Sequence, residues 1–191
     1  MGRTSDARER LIGAAMDLFH ARGYNAVGVN EICEAAEVKK GSLYHFFPGK
    51  RDLALAAIEG HWEAIRDEVL ESAFAPDLPP LERIRRLFAM TSAHQESGRD
   101  ENGQIKGCPF GNLAMELSTQ DEGIRIELEK IYGRLADYFE RALAECSPGL
   151  DARTRAKELL AYYQGAILLA KTNNDPTLIE AMATTAVELA K

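Results

Sequence analysis

Apolar residues recur along this chain at three- and four-residue intervals, and the two-residue alternation of a half-buried strand is nearly absent. The pattern predicts helices almost throughout. A first helix starts near the capping residues Thr4-Ser5-Asp6, carries Leu11, Ile12, Ala15, Leu18 and Phe19 on one face, and ends at Gly23. Residues 23–53 read as two short helices around a tight turn, followed at once by a third helix. Leu55, Ile58, Trp62, Ile65 and Val69 form a stripe on that long helix, which ends before Pro76. Pro79-Pro80 opens the next, with Leu81, Ile84, Phe88 and Thr91 in register. Residues 98–107 form a long polar loop, and a further helix starts at Pro109. Another runs from about Asp121 to Cys146, with Ile124, Leu128, Ile131, Leu135, Phe139 and Ala142 inward, until Pro148-Gly149 breaks it. The expected fold class is all-α, about nine helices in total.

The last two helices differ from the others. Residues 159–170, Leu-Leu-Ala-Tyr-Tyr-Gln-Gly-Ala-Ile-Leu-Leu-Ala, are apolar almost all round, so both faces need cover. Asn174-Asp175-Pro176 restarts the chain. The final helix carries Leu178, Met182, Ala186 and Leu189, while Ala181, Ala183, Ala186 and Ala190 permit close helix approach. No helix remains in the chain to cover both, so a second copy is expected there, giving a homodimer through the last two helices.

Composition adjusts this picture modestly. Over 191 residues, 46% are hydrophobic and 28% charged, which is ordinary for a globular protein. The net charge of −7 argues at first against a nucleic-acid partner. Its distribution softens the objection. Residues 1–53 carry eight Lys+Arg against seven Asp+Glu, a net of +1, and the remainder carries fifteen against twenty-three, a net of −8. Cys33, Cys108 and Cys146 are too few and too widely spaced for a disulfide framework or a zinc site. The opening Met-Gly-Arg-Thr-Ser-Asp has no apolar core behind it, and no apolar run approaches a membrane span. The expectation is a cytoplasmic protein with no membrane partner.

The chemistry concentrates in residues 23–53. Ile32, Ala36, Val38, Leu43 and Phe47 can pack the two short helices together, and Ala35 and Ala36 allow a close crossing. Lys40 to Phe46 crowds small, basic and aromatic residues onto about two turns, the chemistry of a helix entering a DNA major groove. Gly23, Tyr24, Val29, Ile32, Ala35, Ala36, Val38, Gly41, Leu43, Tyr44, Phe47, Lys50 and Leu53 together resemble the pattern of the TetR family of one-component transcriptional repressors. That resemblance implies a three-helix helix-turn-helix DNA-binding domain over residues 1–53 and a helical ligand-binding and dimerisation domain over 54–191. It implies a double-stranded DNA operator, read as an inverted repeat by the dimer, and a small-molecule inducer of unknown identity. It places Ser42 and His45 at base edges and Tyr44 and Lys50 on phosphates; Gly41 removes a side chain where the helix meets the DNA backbone, and Gly28, Lys39 and Lys40 are candidate DNA-binding residues beside them. Four departures stand out. Glu37 replaces the usual turn glycine, Lys39 the usual serine cap, Val27-Gly28 the usual hydroxyls, and Phe46 a His or Tyr.

Residues 106–117, Lys-Gly-Cys-Pro-Phe-Gly-Asn-Leu-Ala-Met-Glu-Leu, are the second informative segment. Pro109 suits the first helical position and puts Cys108 at the cap, where the helix dipole and Lys106 favour a thiolate. Cys108, Asn112, Glu116 and Thr119 are expected to share one face. The Cys-x-x-Gly-Asn-Leu-Ala-x-Glu segment resembles a subgroup of TetR-like repressors that includes regulators of reductases for reactive carbonyls and electrophiles. Three roles for Cys108 stand side by side: reactive sensor, buried packing, or an unreactive thiol lining a pocket. Trp62, Phe88, His94, Cys108, Phe110, Asn112, Tyr132 and Tyr163 are the candidate ligand-binding residues. An enzyme is not expected: His20, His45, His61 and His94 lack metal spacing, no phosphate loop appears, and Asp100-Glu101-Asn102-Gly103 departs from a calcium loop. No cofactor and no metal site are expected. A purely architectural helical protein would leave the Lys40–Lys50 surface unexplained.

Overall fold

The computed structural model describes residues 2–146 and 151–191, so the break expected at Pro148-Gly149 lies outside the described residues. Helix α1 spans Gly2–Arg22, α2 Val29–Ala35 and α3 Lys40–Phe46. Helix α4 runs Lys50–Ile65, passes through a π-helical turn at Arg66–Leu70, and closes with Glu71–Ala73. Then follow α5 Pro80–Ser97, α6 Pro109–Leu117, α7 Glu122–Cys146 and α8 Ala152–Asn173. Helix α9 is interrupted at Met182 into Thr177–Ala181 and Ala183–Leu189. Counted this way, the described residues form nine helices and no strand, in keeping with the 3.6-residue periodicity.

The punctuation works as the residue types dictate. Gly23 ends α1 with φ +84°, a left-handed geometry that glycine adopts without a Cβ penalty. Pro80 opens α5, where its missing N–H is no loss. Asn174 ends α8 at φ +53°, and its side-chain Oδ1 accepts from the Ile105 N–H at 3.0 Å and the Arg99 guanidinium at 3.1 Å. One residue thus closes a helix and anchors the polar loop. Helix α1 begins at Gly2, ahead of the expected Thr4–Asp6 start. Asp6 accordingly sits inside the helix, its Oδ2 3.5 Å from Arg10 one turn on.

Contacts group the chain into two compact units. The first comprises residues up to Ala64 together with Pro109–Glu129. Its core holds Leu11, Ala15, Phe19, Ile32, Leu43, Phe47, Leu53 and Ile58, joined by Leu113, Leu117 and Ile124 from α6 and α7. The second comprises Ile65–Cys108 and Lys130–Lys191. It is built on Leu70, Ile84, Leu87, Phe88, Ile131, Phe139, Leu159, Ala166, Ile179 and Ala186, with the Phe139 ring meeting Phe74 edge-on at 5.8 Å. The Leu53–Ala54 junction falls inside α4, because Leu53, Ala54, Ala57 and Ile58 are buried together in the first unit.

The turn between α2 and α3 shows the departure at Glu37 directly. Glu37 has φ +52°, so a residue with a Cβ occupies a conformation that costs an L-residue about 1–2 kcal/mol. Only a 3.9 Å contact with Arg10 accompanies it, between well-exposed groups. Glu37→Gly relieves that strain against a glycine entropy penalty of roughly 0.5–1 kcal/mol, leaving a net gain of about 0.5–1 kcal/mol. A thermal melt a couple of degrees above wild type is the expected outcome, and an unchanged or lower melt contradicts the strain argument.

Candidate functional site

In the first unit, α2 and α3 cross through Ile32, Ala36, Val38, Leu43 and Phe47, all buried, so the opposite face of α3 is left to solvent. Lys39, Lys40, Gly41, Tyr44 and His45 are exposed there, and Ser42 is half-buried. Tyr44 is half exposed, at 50%, which is unusual for an aromatic residue with no intramolecular reason to face water. A Cβ placed on Gly41 meets nothing within 4 Å, and its backbone is ordinary helix. Neither packing nor conformation requires glycine at that position. Lys39 takes the N-cap position with extended backbone and no side-chain cap, so its ammonium is not consumed by the helix end. His45 and Phe46 meet edge-on at 5.1 Å.

Gly28 caps α2. It brings no hydroxyl, and only half of a capping pair remains: the Gly28 N–H donates to Glu31 Oε2 at 2.7 Å. That bond, with Arg22 donating at 2.6 Å, holds the Glu31 carboxyl below its ordinary range.

Lys50 departs from its expected phosphate contact. Its Nζ donates to the Tyr24 carbonyl at 2.9 Å and the Val27 carbonyl at 2.8 Å, and lies 4.0 Å from the Tyr24 ring centre. Two of its three donors are thereby spent on the protein. Desolvation lowers its pKa, opposed by the nearby Glu116 and Glu31 carboxylates. Lys50 braces the loop before α2, whose carbonyls converge on the start of α4.

The same loop is also held by Glu116, in the last turn of α6. The Glu116 carboxylate accepts the Tyr24 N–H at 2.8 Å and the Asn25 N–H at 2.7 Å. Beside it, Arg51 donates to Asp121 at 2.7 Å, lowering the Asp121 pKa, while Asp121 also caps α7 through the Ile124 N–H at 2.9 Å. No local pattern announces these contacts, since they join positions 70 to 92 residues apart.

The candidate ligand residues fall in both units. Phe88, Cys108, Tyr132 and Tyr163 belong to the second. There the Phe88 and Tyr163 rings meet edge-on at 5.3 Å, and the Tyr163 hydroxyl pairs with Thr91 Oγ1 at 2.7 Å. Tyr132 hydrogen-bonds Cys108; burial first, and then Cys108, push its phenol well above the ordinary range. Tyr163 is raised too, chiefly by burial. The adjoining Gly107 is fixed by Gln95, which donates to its carbonyl at 3.1 Å and accepts its N–H at 3.0 Å. His94 is a correction: it is exposed, because Thr91 and Gln95 take the inward positions of α5.

Trp62, Phe110 and Asn112 lie in the first unit, Trp62 and Phe110 buried, with the Phe110 ring tilted against His61 at 5.3 Å. Thr119 lies beyond the end of α6, in the turn that follows. A groove of about 740 Å³ opens between α1 and α4, lined by Ile12, Gly13, Met16, Ala57 and Gly60 among others, and none of the eight candidates lines it. Cys33 is buried, and burial raises its pKa; Cys146 Sγ lies 3.6 Å from the Leu143 carbonyl and 3.7 Å from that of Ala190.

On the second unit, α8 buries Leu159, Tyr163, Ala166, Ile167 and Ala170, yet leaves Leu168 at 60% and Leu169 at 49% exposed. Leu189 of α9 is 47% exposed. None of the described helices is long and apolar enough to cross a membrane.

Comparison with known proteins agrees with the geometry. Residues 11–57 match the family model described as bacterial regulatory proteins, tetR family, and residues 80–185 match the transcriptional regulator LmrA/YxaF-like C-terminal domain. The transcriptional regulator AcuR of Cereibacter sphaeroides is 36% identical over 177 residues, covering 89% of this chain and 78% of that protein. The HTH-type transcriptional regulator YxaF of Bacillus subtilis is 33% identical over 179 residues, covering 93% and 91%. The crystal structure of reduced Escherichia coli NemR superposes with a TM-score of 0.82 at 27% identity, covering 95% of both chains. The chain therefore belongs to the tetR family of bacterial transcriptional regulators, with a C-terminal domain of the LmrA/YxaF-like kind.

Proposed function

We propose that this regulator is a cytoplasmic repressor that binds an inverted-repeat operator as a homodimer and is released by a reactive electrophile. Residues 1–53 supply the reading head and residues 54–191 the sensing and dimerising body. The observation that carries the DNA reading is the solvent face of α3: Lys39, Lys40, Gly41, Tyr44 and His45 exposed together, with Gly41 free of any packing requirement. A major groove admits this helix N-terminus first. Ser42 and His45 then reach base edges, Tyr44, Lys39 and Lys40 reach phosphates, and Gly28 lets the start of α2 approach the backbone. Lys50 acts by holding the loop that ends at Gly28.

The electrophile reading rests on Cys108. It stands directly before Pro109 at the start of α6, hydrogen-bonded to Tyr132 and only partly exposed. A thiolate there can add to an activated double bond: the S–C bond forms as the C=C π bond breaks, and a proton ends on the neighbouring carbon. Escherichia coli NemR, named a repressor, has a structure described as its reduced form, which suits a thiol that changes state. Ligand-lining roles for Phe88, Tyr132 and Tyr163 fit the same unit as Cys108.

A gel-shift assay on DNA flanking the protein's own gene tests the proposal, with N-ethylmaleimide as the electrophile. Saturable binding abolished by the reagent is the expected result. Cys108→Ser is expected to bind equally and stay bound after treatment. Release of the serine variant as readily as wild type contradicts the sensor role, since Cys33 and Cys146 remain in both.

A further inference from the structure

The loop between α1 and α2 is held at both polarities. Gly23, in its left-handed conformation, turns the chain so that the next two N–H groups point the same way. Both donate to the one Glu116 carboxylate, while Lys50 takes the carbonyls of Tyr24 and Val27. Asn25 Nδ2 adds a 3.4 Å contact to Gln120, and Arg51 ties to Asp121. A Cβ built on Gly23 would stand 3.0 Å from Glu116 Oε2, so the carboxylate is seated against the bare backbone. The loop ends at Gly28, the cap of α2, so its placement sets how α2 and α3 are presented. All of these residues belong to the first compact unit.

Helix α6 contributes Glu116 from its last turn, and its first residue, Pro109, directly follows Cys108. From Pro109 to Glu116 the rigid helix spans about 10 Å. We propose that Glu116 is a positioning residue for DNA recognition, the carboxylate through which α6 sets the geometry of the reading head. The proposal rests on the DNA-binding reading above. In chemical terms, two charge-assisted backbone bonds fix a loop that glycine alone would leave soft. Removing the carboxylate frees Tyr24 and Asn25 without touching α3. The head then folds but presents α2 and α3 in a spread of orientations, which weakens binding to a specific sequence more than to arbitrary DNA.

The test uses the full-length protein, Glu116→Ala and Glu116→Gln, with an operator selected from random DNA by the wild type. For Glu116→Ala, operator affinity is expected to fall at least about tenfold, with affinity for random DNA within about twofold. Glu116→Gln, which keeps one acceptor, is expected to fall between. Amide exchange at Tyr24 and Asn25 should quicken in both variants. A residue that only stabilises the fold would instead lower the melt and weaken both DNA classes equally, and that result overturns the proposal. So does unchanged operator affinity with Tyr24 and Asn25 freed. If the wild type selects no sequence, the DNA-binding reading itself falls, and the role of Glu116 with it.

Discussion

Gly41→Asp is expected to leave the protein folded, and no less stable, while lowering operator affinity by at least about a hundredfold. The stability side follows from the open space around Gly41 and its place in the first turn of α3. A helical glycine replaced by a residue with a Cβ gains roughly 0.5–1 kcal/mol, offset in part by the lower helix propensity of Asp. A carboxylate near a helix N-terminus gains about 0.3–1 kcal/mol more. The binding side has the opposite sign. On the proposed reading, the same carboxylate would lie where α3 meets the phosphate backbone, and a like-charge juxtaposition costs several kcal/mol, once in each head of a dimer. Gly41→Ala adds bulk without charge and should show a smaller loss. A thermal melt alongside a gel shift separates the two quantities. Undiminished operator binding by Gly41→Asp contradicts the placement of α3 against the backbone.

Leu168→Glu carries the second large effect. Leu168 is 60% exposed on α8 and Leu169 49%, on a helix whose other face is buried under its own chain. A leucine left this open beside a second on the next position is unusual on a surface that stays wet. Glutamate there disturbs no intrachain packing, so the monomer is expected to fold. Across a two-fold axis each new carboxylate faces apolar surface and, near the axis, its own copy. The variant should sediment as a monomer at micromolar concentration where the wild type is a dimer. Operator affinity should drop by more than about a hundredfold, because the second head then binds without the effective concentration its partner supplied. A Leu168→Glu protein that remains dimeric would move the interface elsewhere.

The sequence made the helices legible because their limits rest on local chemistry. Gly23, Pro80 and Asn174 stop or start helices through backbone properties that need no tertiary partner. The strain at Glu37 was legible for the same reason: a bulky residue stood where the turn demands positive φ. The inward face of α5 was less so. Periodicity alone allows either His94 or Gln95 to continue the buried stripe, and the Gln95 amide wins it by pairing with both backbone groups of Gly107. Lys50 was only half legible, because a lysine at a helix start beside a reading head suits a phosphate equally well. Two loop carbonyls, placed by the fold, take two of its three donors. Glu116 was out of reach altogether, since its partners lie 91 and 92 residues away and no spacing rule connects them.

These particulars assign the parts of the molecule to one task. On the proposed reading, the exposed side of α3 meets the operator, the Glu116 and Lys50 contacts hold the loop that aims it, and the open leucines of α8 are where two copies would pair. The measurement that tests this most directly is binding stoichiometry and affinity on the selected operator, with one half-site then scrambled. One dimer on the intact inverted repeat is the expected result, with a loss of at least about a hundredfold when either half is changed. Equal affinity for intact, half-scrambled and random DNA would contradict it.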